Sequence, residues 1–148
     1  MLNQDFKEFI ELLNTHNVEY LVVGAYAVAI YGHPRYTGDI DFWIQTSSEN
    51  ADRLMLVIKD FGFQSLGLTK EDFMNKDCVL QLGYEPNRID ILTSLSGINF
   101  DDAYPLRNII TTDQISIQYI DLKSLINNKQ ATGRAKDISD IEYLTKKK

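Results

Sequence analysis

The chain contains a single cysteine, Cys78. An internal disulfide is therefore excluded, and so is any paired-thiol metal spacing; Cys78 reads as a small core residue. Histidine is almost as scarce, with only His16 and His33. His33 has no serine or cysteine nearby to activate and reads as part of a turn, while His16, near a helix end, answers the helix dipole. The longest apolar run, Tyr20 to Tyr31, is too short to cross a bilayer and is interrupted by Gly24. The opening residues, MLNQDFKEFIEL, show no basic region followed by an apolar core, so no secretion signal is expected and the cytoplasm is the expected compartment. Positive charge is in short supply: the formal net charge is -6 and the pI is near 4.8. That argues against a broad DNA-binding surface and leaves room only for a local basic site. No repeat, low-complexity tract or linker interrupts the chain.

What is present is the composition of an ordinary globular protein, 44% hydrophobic and 24% charged over 148 residues, which predicts one domain spanning 1–148. Phe6, Phe9, Ile10 and Leu13 recur at helical spacing and predict an amphipathic first helix ending near Asn14 to Asn17. Tyr20 to Val23 reads as a buried strand, Gly24 as a turn, and Ala25 to Ile30 as a short buried helix. His33, Pro34 and Gly38 mark a loop. Thr46 and Glu49 have capping-box spacing ahead of a stripe of Ala51, Leu54, Ile58 and Phe61, with Gly62 as the stop. A shorter helix is expected over Lys70 to Met74. Cys78 to Leu82 and Arg88 to Leu92 read as strands joined through Gly83 to Asn87, and Ser94 to Pro105 as loop. Ile115, Ile117 and Tyr119 alternate as a half-exposed strand, and Asp121 caps a helix carrying Leu122, Leu125 and Ile126. After a loop over Asn128 to Gly133, the residues Ala135, Ile138, Ile141 and Leu144 supply the last helix. The order predicts an α+β fold, a mixed sheet with helices packed mainly on one face.

Chemistry concentrates on Asp39-Ile40-Asp41-Phe42. Alternation along a strand puts the two aspartates on one face and Ile40 and Phe42 on the other. Carboxylates roughly 5–6 Å apart repel by about 3 kcal/mol at an effective dielectric of 20, so the pair needs a counter-charge, and a hard, oxygen-binding cation such as Mg2+ is the natural candidate. In Arg88-Ile89-Asp90-Ile91, Asp90 points opposite to two core isoleucines. If that strand neighbours the first, Asp90 joins the same cation; otherwise it is a solvent-facing residue paired with Arg88. Gly24, between strand and helix, would let backbone N–H groups approach an anion such as a phosphate, or simply make the turn. Trp43 shares the face of Asp41, where packing is more common than stacking on a base. The positive charges gather late, at Lys123, Lys129, Arg134, Lys136 and Lys146 to Lys148; for the last three a solvated helix face is the simplest reading.

Gly24-Ala25, followed by Asp39-Ile40-Asp41 and later Asp90, resembles the signature of the DNA polymerase β-like nucleotidyltransferase superfamily. Tyr31-Gly32-His33, Arg35 and Thr37 look more narrowly like its small bacterial members, the minimal nucleotidyltransferases and AbiEii-type toxins. The tail from Lys129 through Arg134, Lys136, Asp137 and Asp140 is similar to the closing helix of that group. The resemblance implies Mg2+-dependent transfer of an NMP from an NTP such as ATP to an acceptor hydroxyl. Asp39 and Asp41 would hold Mg2+ ions on the phosphates, and Asp90 the ion that activates the acceptor. Gly24, Ala25, Arg35 and Lys136 would bind the nucleotide, with Lys129 and Arg134 as further candidates for neutralising phosphate or forming structural ion pairs. The acceptor would be a tRNA end, a protein hydroxyl or a small molecule such as an aminoglycoside, and an antitoxin or a second copy the partner. The chain departs from the family at Ala25, where a serine or second glycine is usual; alanine keeps the backbone N–H and offers no hydroxyl. The alternative is a non-catalytic nucleotide-binding or partner-binding relative, such as one half of a toxin–antitoxin pair.

Overall fold

The computed structural model describes residues 2–32, 38–84 and 87–146. Helix α1 (Gln4–Thr15) begins at Asn3, whose side chain accepts a hydrogen bond from the Phe6 N–H, and buries Phe6, Phe9, Ile10 and Leu13. Strand β1 (Tyr20–Val23) is buried along its whole length and runs directly into α2 (Gly24–Ile30). Strand β2 (Ile40–Ile44) then returns antiparallel to β1, with Val22 opposite Phe42 and Val23 opposite Asp41. Helix α3 (Ser48–Phe61) ends at Gly62 in the left-handed region, as its sequence predicts. Its N-cap is Ser47, whose hydroxyl accepts from the Asn50 N–H, and not Thr46. The shift by one residue has a reason: Asn50 is fully buried and bonds to the backbone N–H and C=O of Glu19 and to the C=O of Gln45, pinning α3 to the ends of β1 and β2.

Strands β3 (Val79–Leu82) and β4 (Ile89–Leu92) form the expected antiparallel pair, preceded by two short 3-10 segments, Gln64–Leu66 and Lys70–Phe73. Cys78 lies just before β3, half-buried beside the Thr93 hydroxyl and not in the core. The segment read as loop contains a one-turn helix, α4 (Phe100–Ala103). A further strand, β5 (Asn108–Thr112), pairs with β6 (Ile115–Tyr119). Asp113 and Gln114 connect them, both with positive φ, the geometry of a two-residue hairpin turn built without the usual glycine.

Helix α5 (Leu122–Thr132), capped by Asp121, runs through the stretch expected to be loop and stops at Gly133. Helix α6 (Ala135–Lys146) buries Asp137, Asp140 and Leu144, whereas Ile138 is 53% exposed. The apolar periodicity thus misplaced the inner face of α6, because a buried ion-pair network occupies it.

The sheet order is β3-β4-β2-β1-β6-β5. The β2–β4 and β1–β6 pairs are parallel and the others antiparallel, which makes this a mixed six-stranded sheet in an α+β fold. Tyr20, Val22, Phe42 and Ile44 share one face by register. There the ring of Phe9 packs on Phe42 and Phe61, tying α1, sheet and α3 into one buried cluster. The opposite face carries Asp41, Trp43, Asp90 and Leu92. It is covered near Trp43 by the edge-to-face ring of Phe100, at 5.1 Å between centroids, and is open at the aspartates. Among the described residues no helix is long and apolar enough to cross a membrane.

Candidate active site

The open part of that face is a cleft of about 840 Å3 whose lining includes Gly24, Ala25, Asp39, Asp41, Arg88 and Asp90. Register assembles it. In the parallel β2–β4 pair Asp41 lies directly beside Asp90, so the two side chains leave the sheet on the same side at neighbouring positions. Asp39 precedes β2 by one residue. Its Oδ1 accepts the Arg88 backbone N–H at 3.0 Å, while the Arg88 carbonyl accepts the Ile40 N–H at 3.1 Å. The three candidate carboxylates therefore meet in one cleft, as expected if their strands are neighbours.

Gly24 occupies its place for two reasons. Its φ is +70°, and a Cβ built there would overlap the Asp41 carboxylate, with the Asp41 Cγ at 3.1 Å. The group that closely approaches this glycine is therefore a carboxylate of the protein itself. Ala25 follows on α2 and also lines the cleft.

The counter-charge demanded by the carboxylates is supplied by Arg88. Its Nε donates to Asp90 Oδ1 at 2.7 Å and its Nη2 to Asp90 Oδ2 at 3.0 Å, a bidentate pair. The same Nη2 lies 3.4 Å from Asp39 Oδ2. Asp90 is 7% exposed, so the alternative of a solvent-facing Asp90 is wrong while the pairing with Arg88 is right. The signal was available: Arg88 and Asp90 are two residues apart on one strand and so share a face. Asp41 is left with less help. Burial, then the charge and hydrogen bond of Asp90, then the charge of Asp39 push its carboxyl up to about 7, against the smaller opposing effect of Arg88.

Among the described residues no group of three or more His, Cys, Asp and Glu is set as a ready metal cage. The donor chemistry nevertheless fits a hard cation: three carboxylates converge, and the Asp41 carboxyl is pushed up by burial and by its neighbour Asp90, a cost that a cation between them would relieve. Asp39 and Asp90 meanwhile hold the guanidinium.

The basic residues of the tail divide sharply. Lys129 is 4% exposed, its Nζ 3.1 Å from Asp137 Oδ1 and 3.2 Å from Asp140 Oδ2. Burial alone would raise the Asp137 carboxyl, but hydrogen bonds from Arg134, Thr132 and Lys129 outweigh it and hold the group well below the usual carboxylate range. Arg134 is largely exposed, yet its Nε lies 2.6 Å from Asp137 Oδ2. Lys136 is exposed on the cleft lining. Arg35 and His33 lie outside the described residues. Trp43 is 1% exposed and packs on Phe100, so it is a core residue and not a stacking surface. His16 closes α1, with Nε2 2.8 Å from Asp60 Oδ2. The loop wall of the cleft, Ser94 to Ser96, and Thr132 were not anticipated.

No protein-family model and no curated protein matches this chain by sequence. Solved structures do match by fold. A lincosamide antibiotic adenylyltransferase, LnuA, solved with lincomycin bound, superposes with a TM-score of 0.58 at 13% identity, covering 98% of this chain and 97% of that one. A candidate nucleotidyltransferase (TM1012) from Thermotoga maritima gives a TM-score of 0.56 at 15% identity over 95% of this chain and 88% of that one. An antigenic nucleotidyltransferase-like protein from Paracoccidioides brasiliensis gives 0.55 at 17% identity, covering 97% of this chain and 77% of that one. The chain has the fold of these nucleotidyltransferase structures.

Proposed function

We propose that this chain, as a single domain, is a nucleotidyltransferase that moves an NMP from an NTP to an acceptor hydroxyl and releases pyrophosphate. The observation that carries the reading is the direct pairing of Asp41 with Asp90 in a cleft that also contains Asp39, within a fold shared with nucleotidyltransferase structures. The acceptor oxygen bonds to the α-phosphorus as the bond to the bridging oxygen of the leaving pyrophosphate breaks, and the hydroxyl proton passes to the carboxylate cluster. Mg2+ held by Asp39, Asp41 and Asp90 would supply charge neutralisation at the attacking and leaving oxygens. Gly24 and Ala25 line the cleft; the space that a side chain at Gly24 would need is taken by the Asp41 carboxylate, which brings the backbone of this turn against the acids. Lys136 offers a mobile positive charge at the rim, and Arg134, held by Asp137, a fixed one. Catalysis would rest on positioning and electrostatics and not on covalent chemistry.

The test is transfer of label from a radiolabelled NTP in the presence of Mg2+ to pools of tRNA, protein or aminoglycoside. Asp39→Ala and Asp41→Ala should each abolish transfer while keeping the circular dichroism of the folded chain. Full activity in both variants refutes the assignment.

Two observations favour a second reading, a non-catalytic nucleotide-binding or partner-binding relative of the toxin–antitoxin kind. Ala25 brings no hydroxyl to the phosphates, and Arg88 is lodged on two of the carboxylates. Calorimetry that records nucleotide binding, with no turnover on any acceptor pool, selects this reading.

A further inference from the structure

We propose that Arg88 is an internal counter-ion that competes with the divalent cation for Asp39 and Asp90, so that cation binding requires the guanidinium to leave. The inference rests on the nucleotidyl-transfer reading above and concerns the regulation of that same cleft.

The geometry sets the competition. Both terminal oxygens of Asp90 accept from the guanidinium, at 2.7 and 3.0 Å, and Asp39 Oδ2 lies 3.4 Å from the same Nη2. A bidentate arginine takes one lone pair on each Asp90 oxygen, about half of the carboxylate's accepting capacity, and its positive charge sits where a cation approaching those oxygens would sit. A second positive charge brought to the same oxygens is also repelled by the first. Burial makes the arrangement an exchange and not a simple loss. Asp90 is nearly inaccessible and the Arg88 side chain only 20% exposed, so removing the guanidinium without a replacement would strand a charge in a poorly solvated place.

The backbone of Arg88 is held at the start of the β2–β4 ladder: its N–H donates to the Asp39 carboxylate and its C=O accepts the Ile40 N–H. It is the side chain that swings, and Arg88 is itself part of the wall of the 840 Å3 cleft. The cleft lining offers a released guanidinium the side-chain oxygens of Ser94, Ser96 and Asn128, but a bound nucleotide would bring charged phosphate oxygens, which it grips in the same forked way as a carboxylate. The cation displaces Arg88 from the acids and the nucleotide receives it, so each ligand raises the affinity for the other. Such coupling is reciprocal and typically amounts to about 5–150-fold.

Calorimetric titration of Mn2+ into the metal-free protein, with and without a non-hydrolysable NTP, tests this on the wild type and on Arg88→Gln. The wild type should bind Mn2+ weakly alone and about tenfold or more tightly with the nucleotide. Arg88→Gln should bind Mn2+ alone about tenfold more tightly than the wild type and lose most of the enhancement by nucleotide. Its melting temperature should fall in EDTA and recover on adding Mn2+. Equal or weaker Mn2+ binding by folded Arg88→Gln overturns the proposal. Should that variant not fold, the 15N-resolved Nε–H signal of Arg88 in the wild type decides. It should shift on adding Mg2+ with the NTP analogue, and an unmoved signal at saturation overturns the exchange while leaving nucleotide binding intact. If neither ligand binds the wild type at all, the nucleotidyl-transfer reading fails and this inference fails with it.

Discussion

The carboxylate of Asp41 fills the space that a side chain at position 24 would need. The closeness of strand end and turn is thus written into the pair Gly24 and Asp41, and each limits what the other can become.

Gly24→Ala should therefore be destabilising through two separable effects. The left-handed backbone costs a non-glycine residue about 1–2 kcal/mol, and the collision with Asp41 adds to it. In an Asp41→Ala background the collision disappears and only the backbone cost should remain. Urea unfolding of the two single variants and the double variant measures this as a coupling of about 1 kcal/mol or more; strict additivity would refute it.

Asp41 also gives the protein a pH dependence. Its carboxyl is raised from 3.8 to about 7 by burial, by Asp90 and by Asp39, so across that window the native state keeps a proton the unfolded chain has released. Its contribution to stability is fully present below about pH 4 and is lost as the pH rises through about 7, with a slope approaching 1.4 kcal/mol per pH unit. In metal-free buffer the melting temperature should fall between pH 5 and 8 more steeply for the wild type than for Asp41→Asn. Parallel profiles would contradict the assignment.

The Lys129 network should behave as a single unit. Asp137→Ala leaves the buried Lys129 ammonium with Asp140 as its remaining ion-pair partner among the described residues, and loss of one partner of a buried pair typically costs about 3–5 kcal/mol. Asp137 is held below its ordinary range by Arg134, Thr132 and Lys129. Its contribution is therefore present above about pH 4 and disappears as the pH falls through the lowered value. Guanidinium denaturation at pH 7 should show the loss for Asp137→Ala. A loss under 1 kcal/mol would mean that the network is not shielded from water.

Asn50 offers a test remote from the cleft. Its side chain takes the Glu19 N–H at 2.7 Å and donates to the carbonyls of Glu19 and Gln45 at 3.1 and 2.8 Å. Asn50→Leu, similar in size, leaves these buried backbone groups unanswered and should cost about 2–4 kcal/mol. Chemical denaturation reads this directly.

How far the sequence reached depended on whether apolar residues did the burying. Strands β1, β2, β4 and β6 and helices α1 and α3 were legible because Tyr20 to Val23, Ile40 to Ile44 and the Phe6–Leu13 stripe follow their periods closely. The closing helices were legible as helices, with Asp121 as the cap of α5, but the length of α5 and the inner face of α6 were not, since Lys129, Asp137 and Asp140 are buried there, which no hydrophobic pattern registers. Strand β5 was hidden by its place at the sheet edge, where four of its five residues are exposed, and by a hairpin turn lacking glycine. In the cleft, Asp39 and Asp41 stood out by alternation. The place of Asp90 depended on strand neighbourhood, which is a property of topology and not of local sequence. The grip of Arg88 on Asp39 crosses between two strands and was invisible for the same reason.

The parallel register of β2 with β4 has a further consequence. Neighbouring strands are spaced about 4.8 Å apart by their backbone bonds, so the distance between the Asp41 and Asp90 backbones is fixed by the ladder and does not rely on how nearby side chains are packed. Repacking mutations can soften the core without moving this spacing. A slip of β4 by one residue, in contrast, would swing Asp90 under the helices and put an isoleucine among the acids. The alignment is protected because the same slip would expel Ile89 and Ile91 from their buried seats, and the interior of the fold thereby acts as the proofreader of its cleft.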